Sequence, residues 1–273
     1  MVTMRRDEAL PTLGRHSPRL AEVRRICLGE REGLTVVDGT KLISDLAAAG
    51  VSFELLLVTP QTYPALARRL AGHADKVFLV EADALERVAP TQHSQGALGV
   101  VKVPRRDLQA SGVVVYLDRI QDPGNVGAVI RCAAAFDVAG VACSDQSADP
   151  FSPRAIRASA GHALLLPVAR HVPFLPLAEQ FQLAGGDVVA TLGSGGTPLP
   201  AWQGRPPLLL ALGNEGQGLT PEILAASSSQ VSIPLRGGVE SLNVAVTAGI
   251  MLASLAGLAG APILRLKTKR RAR

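Results

Sequence analysis

The stretch Leu117–Phe136, LDRIQDPGNVGAVIRCAAAF, runs from an apolar strand through the turn Asp122-Pro123-Gly124-Asn125 into a helix carrying Arg131. Gly124 and Gly127 permit close approach of backbone, and the free N–H groups at the start of such a helix favour an anion. The spacing is G-x-x-G, so it is not the G-x-G-x-x-G of a dinucleotide fold. It is not a Walker loop either, because no Gly-Lys-Ser/Thr follows. The same passage from strand to helix recurs downstream. Val113–Asp118, Gly140–Ser144, Leu164–Val168, Asp187–Leu192, Leu208–Leu212 and Val231–Ile233 read as strands. Continuous apolar runs of this kind belong to strands covered on both faces, so the fold class is α/β with a mostly parallel sheet. Ligands of such sheets lie beyond the carboxyl ends of the strands, which directs attention to the loops there.

Two more loops stand out. Leu208–Glu222, LLLALGNEGQGLTPE, opens from a strand into three glycines around one Asn-Glu pair, a loop able to wrap a flat ligand and offer it backbone amides. Val231–Ile250, VSIPLRGGVESLNVAVTAGI, ends a strand at Pro234, crosses Arg236-Gly237-Gly238, and reaches a helix of small residues with Ser241 as its expected cap. Taken singly, each loop reads equally well as a ligand site or as an ordinary turn whose polar side chains cap a helix.

The first half alternates short elements as well. Ser17-Pro18 predicts a helix start, followed by a strand at Val36-Val37, a helix over Thr40–Ala49 closed by Gly50, and a buried strand at Phe53–Thr59. A helix near Ala65, strands from Lys76 and at Gly96–Val103, and a helix from Ala82 complete this unit. The polar run that begins Pro104-Arg105-Arg106-Asp107 breaks the apolar pattern, which sets residues 1–103 apart from 113–264, with 104–112 as a linker and 265–273 as a basic tail.

The three loops, in this order and spacing, resemble motifs 1, 2 and 3 of the SpoU (TrmH-like) family of RNA 2'-O-ribose methyltransferases, in the SPOUT superfamily. Arg157–Val168, RASAGHALLLPV, is similar to the segment joining motifs 1 and 2. The resemblance implies a C-terminal deep trefoil knot, preceded by a small α/β ribosomal-protein-like domain that binds substrate RNA. It implies S-adenosyl-L-methionine held by Leu192, Leu212, Gly213, Asn214, Gly216, Ile233, Pro234, Leu235, Ser241, Leu242 and Asn243. It names Arg131, Asn125, Glu215, Ser241 and Asn243 as catalytic, and a homodimer closed by the motif 3 helix. Arginine stays protonated, so Arg131 is expected to hold a phosphate and polarise the ribose hydroxyl rather than act as a base. Cys132 and Leu235 depart from common family residues without removing a needed polar group. A non-catalytic RNA-binding protein that kept the fold is the alternative, although Arg131, Asn125 and the motif 2 loop are all intact.

Composition is that of a globular protein. The chain of 273 residues is 47% hydrophobic and 19% charged, so it can bury a full core, and its net charge is +5. Expected phosphate contacts are Arg24, Arg25, Arg105, Arg106, Arg131 and Arg157, together with the tail KTKRRAR. Aromatics at 3% argue against a stacking platform for single strands, and ribosomal RNA is favoured over transfer RNA because of the added first half. Three scattered cysteines and five dispersed histidines form no metal site or disulfide framework, and a reducing cytoplasm is expected. Asn243–Leu264 carries no charge, but its small residues and Pro262 suit a helix buried between subunits better than a membrane span.

Overall fold

Valine- and leucine-rich runs become strands throughout the computed structural model, which describes residues 10–70, 72–74, 76–90 and 94–258. The first sheet contains Thr12–Leu13 (β1), Leu34–Asp38 (β2), Leu55–Val58 (β3), Val77–Val80 (β4) and Ala97–Lys102 (β5), in the order β1-β4-β3-β5-β2. It is mixed: β5 runs antiparallel to β2 and β3, whereas the β1–β4 and β3–β4 pairs are parallel. Helices Pro18–Cys27 (α1), Thr40–Ala48 (α2), Tyr63–Leu70 (α3) and Ala82–Glu86 (α4) connect its strands. The Ser17 hydroxyl accepts from Arg19 N at 3.3 Å and Pro18 opens α1, as the Ser-Pro pair predicts.

The second sheet follows as Val113–Asp118 (β6), Pro123–Ala135 (α5), Gly140–Cys143 (β7), Pro153–Ala158 (α6), Val168–Ala169 (β8), Phe174–Leu183 (α7) and Asp187–Leu192 (β9). Thr197–Pro198 (β10), Leu208–Gly213 (β11), Pro221–Ala226 (α8), Ser229–Ser232 (β12) and Val244–Leu258 (α9) complete it. All its pairings are parallel, in the order β10-β12-β9-β11-β6-β7-β8. The central strand β6 explains the unbroken apolar run. Val115 and Leu117 join a core with Ile130 of α5 and Met251 of α9, while Val114 and Tyr116 pack against Phe174, Leu177 and Phe181 of α7.

The expected strand Leu164–Val168 is corrected. His162–Leu164 is a 3₁₀ turn, and only Val168 of that run enters β8. Pro167 cannot donate to a ladder, although its carbonyl still accepts from Val141 N at 2.9 Å. The expected cap of α9 is corrected too. Asn243, not Ser241, fills that place, its Oδ1 accepting from Ala245 N at 2.9 Å and its carbonyl from Thr247 N at 2.9 Å.

The two sheets share one apolar cluster, which runs from Val37 and Phe53 to Val115 and Leu164. At their seam the buried Thr35 hydroxyl donates to Phe151 O at 2.7 Å. Helix α6 packs between β2 and α5. Gly127 makes that packing possible, because a Cβ there would lie 2.4 Å from Ala155 O and 2.6 Å from the Ala158 methyl. Gly127→Ala is therefore expected to cost about 1–3 kcal/mol of stability by forcing α5 and α6 apart. A denaturation midpoint equal to wild type would show that the contact yields freely.

No helix among the described residues is long and apolar enough to cross a membrane. The last residues of the uncharged run and the basic tail at 265–273 lie outside the described residues.

Candidate active site

Strands β9, β11 and β12 are neighbours in the sheet, so their carboxyl ends bring three loops to one place. Together with the start of α9 these loops enclose a cleft of about 220 Å³. Of the residues expected to hold the cofactor, Leu192, Leu212, Gly213, Asn214, Ser241 and Leu242 line it, with Glu215 beside them. Thr191, Gly193, Gly218, Val244 and Thr247 also line it and were not anticipated. Gly216, Ile233, Pro234, Leu235 and Asn243 are not among the lining residues. Ile233 packs instead against the core. The walls combine apolar side chains and glycine backbone with the polar side chains of Thr191, Asn214, Ser241 and Thr247, and Glu215 is the one ionisable lining group among the described residues.

Polar side chains tie the loops together at the mouth. Asn125, in the first turn of α5, donates its Nδ2 to Glu215 Oε1 at 2.6 Å and accepts from Asn243 Nδ2 at 3.0 Å. Residues 90 and 118 positions apart thus form one chain, Asn243–Asn125–Glu215. The first turn of α5 is itself held by Asp122, whose Oδ1 accepts from Gly124 N at 2.6 Å and Asn125 N at 3.1 Å. Asn214 folds the motif 2 loop: its Oδ1 accepts from Gly216 N and Gln217 N, and its Nδ2 donates to Arg119 O at 3.0 Å.

Arg119, which the sequence reading passed over, is tied to the same loop. It sits at φ 57°, a left-handed conformation, just after β6. From there Nη1 donates to Gln217 Oε1 at 2.7 Å and Nη2 to Gly218 O at 3.0 Å, while Nε lies 3.3 Å from the buried Asp118 carboxylate. One guanidinium therefore clamps the far side of the loop. Its place directly ahead of the motif 1 turn was the available signal.

Arg131 lies elsewhere. Six residues after Asn125, it is about 9 Å further along the helix axis and on a different face. It lines a separate hollow of about 290 Å³ with Arg157 and, from the first half of the chain, Lys41 of α2 and Gln95 ahead of β5. Arg131 is exposed and makes no hydrogen bond or ion pair with the described residues. Glu215 holds Asn125 and not this arginine. Of the other basic candidates, Arg24, Arg105 and Arg157 are exposed and unpaired among the described residues, whereas Arg25 is 3.1 Å from Glu30 and 3.6 Å from Glu22. Arg106 Nη1 donates to Leu165 O.

The thiols are unsuited to nucleophilic work. Burial pushes Cys27 and Cys143 each to about 12 and also raises Cys132, against which the nearby Arg131 charge works. Among the described residues no group of three or more His, Cys, Asp or Glu could hold a metal ion.

The profile of the SpoU rRNA Methylase family matches residues 112–253, more than half of the chain. The chain belongs to the SpoU methylase family. Within that family it is an RNA methyltransferase, and the profile of the MRM3-like substrate binding domain matches its residues 29–99. A Synechocystis protein described as an uncharacterized tRNA/rRNA methyltransferase is 33% identical to this SpoU methylase over 82% of the chain and 84% of its own length. The Bacillus subtilis 23S rRNA (guanosine(2553)-2'-O)-methyltransferase RlmP is 29% identical over 81% and 88%. Among solved structures, AviRb from Streptomyces viridochromogenes in complex with AdoMet superposes with TM-score 0.76 at 26% identity, covering 90% of this SpoU methylase and 99% of AviRb. An AdoMet-bound rRNA methyltransferase from Sinorhizobium meliloti gives TM-score 0.76 at 25% identity, covering 90% and 96%.

Proposed function

We propose that this chain transfers a methyl group from S-adenosyl-L-methionine to a ribose 2'-hydroxyl of ribosomal RNA in the cytoplasm. The observation that carries this reading is the chain Asn243–Asn125–Glu215, which closes three loops around one cleft. The 2'-O position and the ribosomal target draw support from the name of RlmP. In the finer fold, the loops after β11 and β12 form the family's deep trefoil knot. Residues 1–103 serve as the RNA substrate-binding domain, 104–112 as linker and 113–264 as methyltransferase domain. The uncharged helix α9 exposes Val246 and Ile250, 50% and 38% accessible, and is the proposed contact of a homodimer.

The cleft suits the cofactor. Leu192, Leu212 and Leu242 give dry walls, Gly193, Gly213 and Gly218 leave backbone exposed, and the Glu215 carboxylate stands where a cation is favoured. When bound, S-adenosyl-L-methionine supplies the methyl group as a sulfonium electrophile. The residues assigned to hold it are Leu192, Leu212, Gly213, Asn214, Ser241 and Leu242, which line the cleft, whereas Gly216, Ile233, Pro234, Leu235 and Asn243, also expected in this role, stand outside its lining. Asn125 and Asn243 orient the ribose, and Glu215 fixes Asn125. Arg131, with Arg157 beside it, grips the adjoining phosphate and lowers the cost of ionising the hydroxyl, whose proton passes to solvent or a neighbouring acceptor.

The test is incubation with methyl-labelled cofactor and total RNA from an unrelated host, followed by mapping of ribose methylation. A single 2'-O-methyl in ribosomal RNA is expected. Label found only on a base, or only in transfer RNA, overturns the reading. The Arg119 clamp has its own expected result. Glycine adopts φ 57° freely, so Arg119→Gly removes the side chain and its hydrogen bonds without straining the backbone. Losing hydrogen bonds from a charged donor, at about 1.5–3 kcal/mol, is expected to raise KM for the cofactor roughly tenfold with a smaller change in kcat. An unaltered KM would sink the clamp.

A further inference from the structure

Arginines from both sheets meet along α6. At its N-terminal end a groove of about 450 Å³ is lined by Arg24 of α1, Arg87 just after α4, and Arg154, beside Pro123 and Pro153, which begin α5 and α6. At its C-terminal end lies the hollow that holds Arg157, Arg131 and Lys41. Arg154 and Arg157 are three residues apart on this one helix, neighbours on its surface. Both are exposed, and the Arg154 side chain retains 68% of its accessibility although its Nη2 is 2.8 Å from Asp122 Oδ2. The other acids at the seam leave an excess of positive charge. Asp83 stands 3.9 Å from Arg87 and 3.8 Å from Arg15, Asp45 is engaged by Lys41 at 2.7 Å, and Asp38, which also lines the hollow, accepts from Ser94 Oγ at 3.2 Å. Arg24, Arg131 and Arg157 have no acid of their own among the described residues.

We propose that this seam is the track on which the RNA backbone lies, with Arg24, Arg87 and Arg154 binding successive phosphates that lead the strand to Arg157 and Arg131. The proposal rests on the methyltransferase reading for its direction of travel, and adds to it phosphate contacts at Arg87 and Arg154 and a route that uses both sheets at once. The occupant is RNA because the lining offers separated guanidiniums along a groove, with no aromatic platform and no enclosed cavity. That pattern suits a phosphodiester chain held by charge and shape.

The test uses the full chain and a fluorescein-labelled stem-loop RNA of mixed sequence, with affinity measured against salt. Each lost phosphate contact removes about 0.7–0.9 from the slope of log K against log salt, so Arg24→Ala/Arg87→Ala/Arg154→Ala together are expected to flatten it by about 2. The matched change Arg68→Ala/Arg69→Ala/Lys76→Ala, on exposed positions of α3 and just ahead of β4 that do not line the groove, is expected to leave it near wild type. Equal slopes for wild type and the seam variant, or equal losses for both variants, overturn the track. The double reversal Arg24→Glu/Arg87→Glu repeats the measurement without touching α5 or α6. Cofactor binding by all variants, followed calorimetrically, is expected to stay at the wild-type value. If wild type binds RNA with the expected slope yet transfers no methyl group, the enzymatic reading fails and the track stands. If the seam variants bind and methylate as wild type does, the track fails and the reading stands.

Discussion

Arg131→Ala is expected to abolish most methyl transfer, lowering kcat on the order of 10²–10³-fold, the typical result of deleting one donor that serves a developing negative charge. Binding of S-adenosyl-L-methionine should not change, because Arg131 lines the hollow with Arg157 and Lys41 rather than the cleft at the strand ends. That separation makes the experiment sharp: calorimetry with cofactor alone reads the cleft, and single-turnover transfer reads the arginine. Arg131→Lys should recover only a small part of the rate, since an ammonium carries the charge without the planar fork that grips a phosphate through two donors. A proton-accepting role predicts something different, namely a rate in the lysine variant that climbs as pH approaches the lysine range near 10. A cofactor affinity that falls along with the rate in Arg131→Ala would place the side chain at the methyl donor and refute the phosphate assignment.

The difference between Arg131 and Arg119 shows what could be read from the residues alone. Elements specified by local chemistry were legible: Ser17-Pro18 opens α1, and the doubly buried β6, β9 and β11 announce themselves as unbroken apolar runs, whereas the expected turn Asp122–Asn125 is in fact the N-cap and first turn of α5. The two-residue strands β1 and β10 were not, because their pairing is decided by β4 and β12 and by no pattern within two residues. Leu164–Leu166 was misread for a related reason, since an apolar run beside Pro167 fits a buried 3₁₀ turn as well as a strand. At the site, resemblance brought Asn125, Glu215 and Asn243 forward as a group, but their hydrogen-bond order depends on three loops closing over one another. Arg119 had no such pointer. Its importance comes from a backbone turn to positive φ, which aims an otherwise ordinary arginine across the sheet end at Gln217 and Gly218. Ser241 was assigned the cap of α9 because serine favours that place, but Asn243 occupies it while its Nδ2 reaches Asn125.

Gly213→Ala should strip the protein of its cofactor while leaving the fold in place. A Cβ at Gly213 would lie 2.5 Å from the carbonyl carbon of Gly218 and 2.6 Å from Leu219 N, both backbone atoms with no rotamer to relieve the clash. The strain falls on the closure of the motif 2 loop, where Gly218 N donates to Asn214 O at 2.8 Å and Gly218 reaches its turn at φ 66°. Forcing Gly218 outward displaces Asn214 and, next to it, Glu215 with its bond to Asn125. Overpacking of this kind costs about 1–3 kcal/mol, and spent on the lip of the cleft it corresponds to a loss of roughly 10–100-fold in affinity. Gly216→Ala is the discriminating companion. It stands three residues further along the same loop, yet its Cβ would meet only Asn214 Oδ1, at 3.5 Å, an ordinary contact. Calorimetric titration should therefore find cofactor binding severely weakened in the first variant and close to wild type in the second. If the two fall together, loop flexibility and not the Gly213–Gly218 contact governs the cleft, and the backbone closure described here does not set the site.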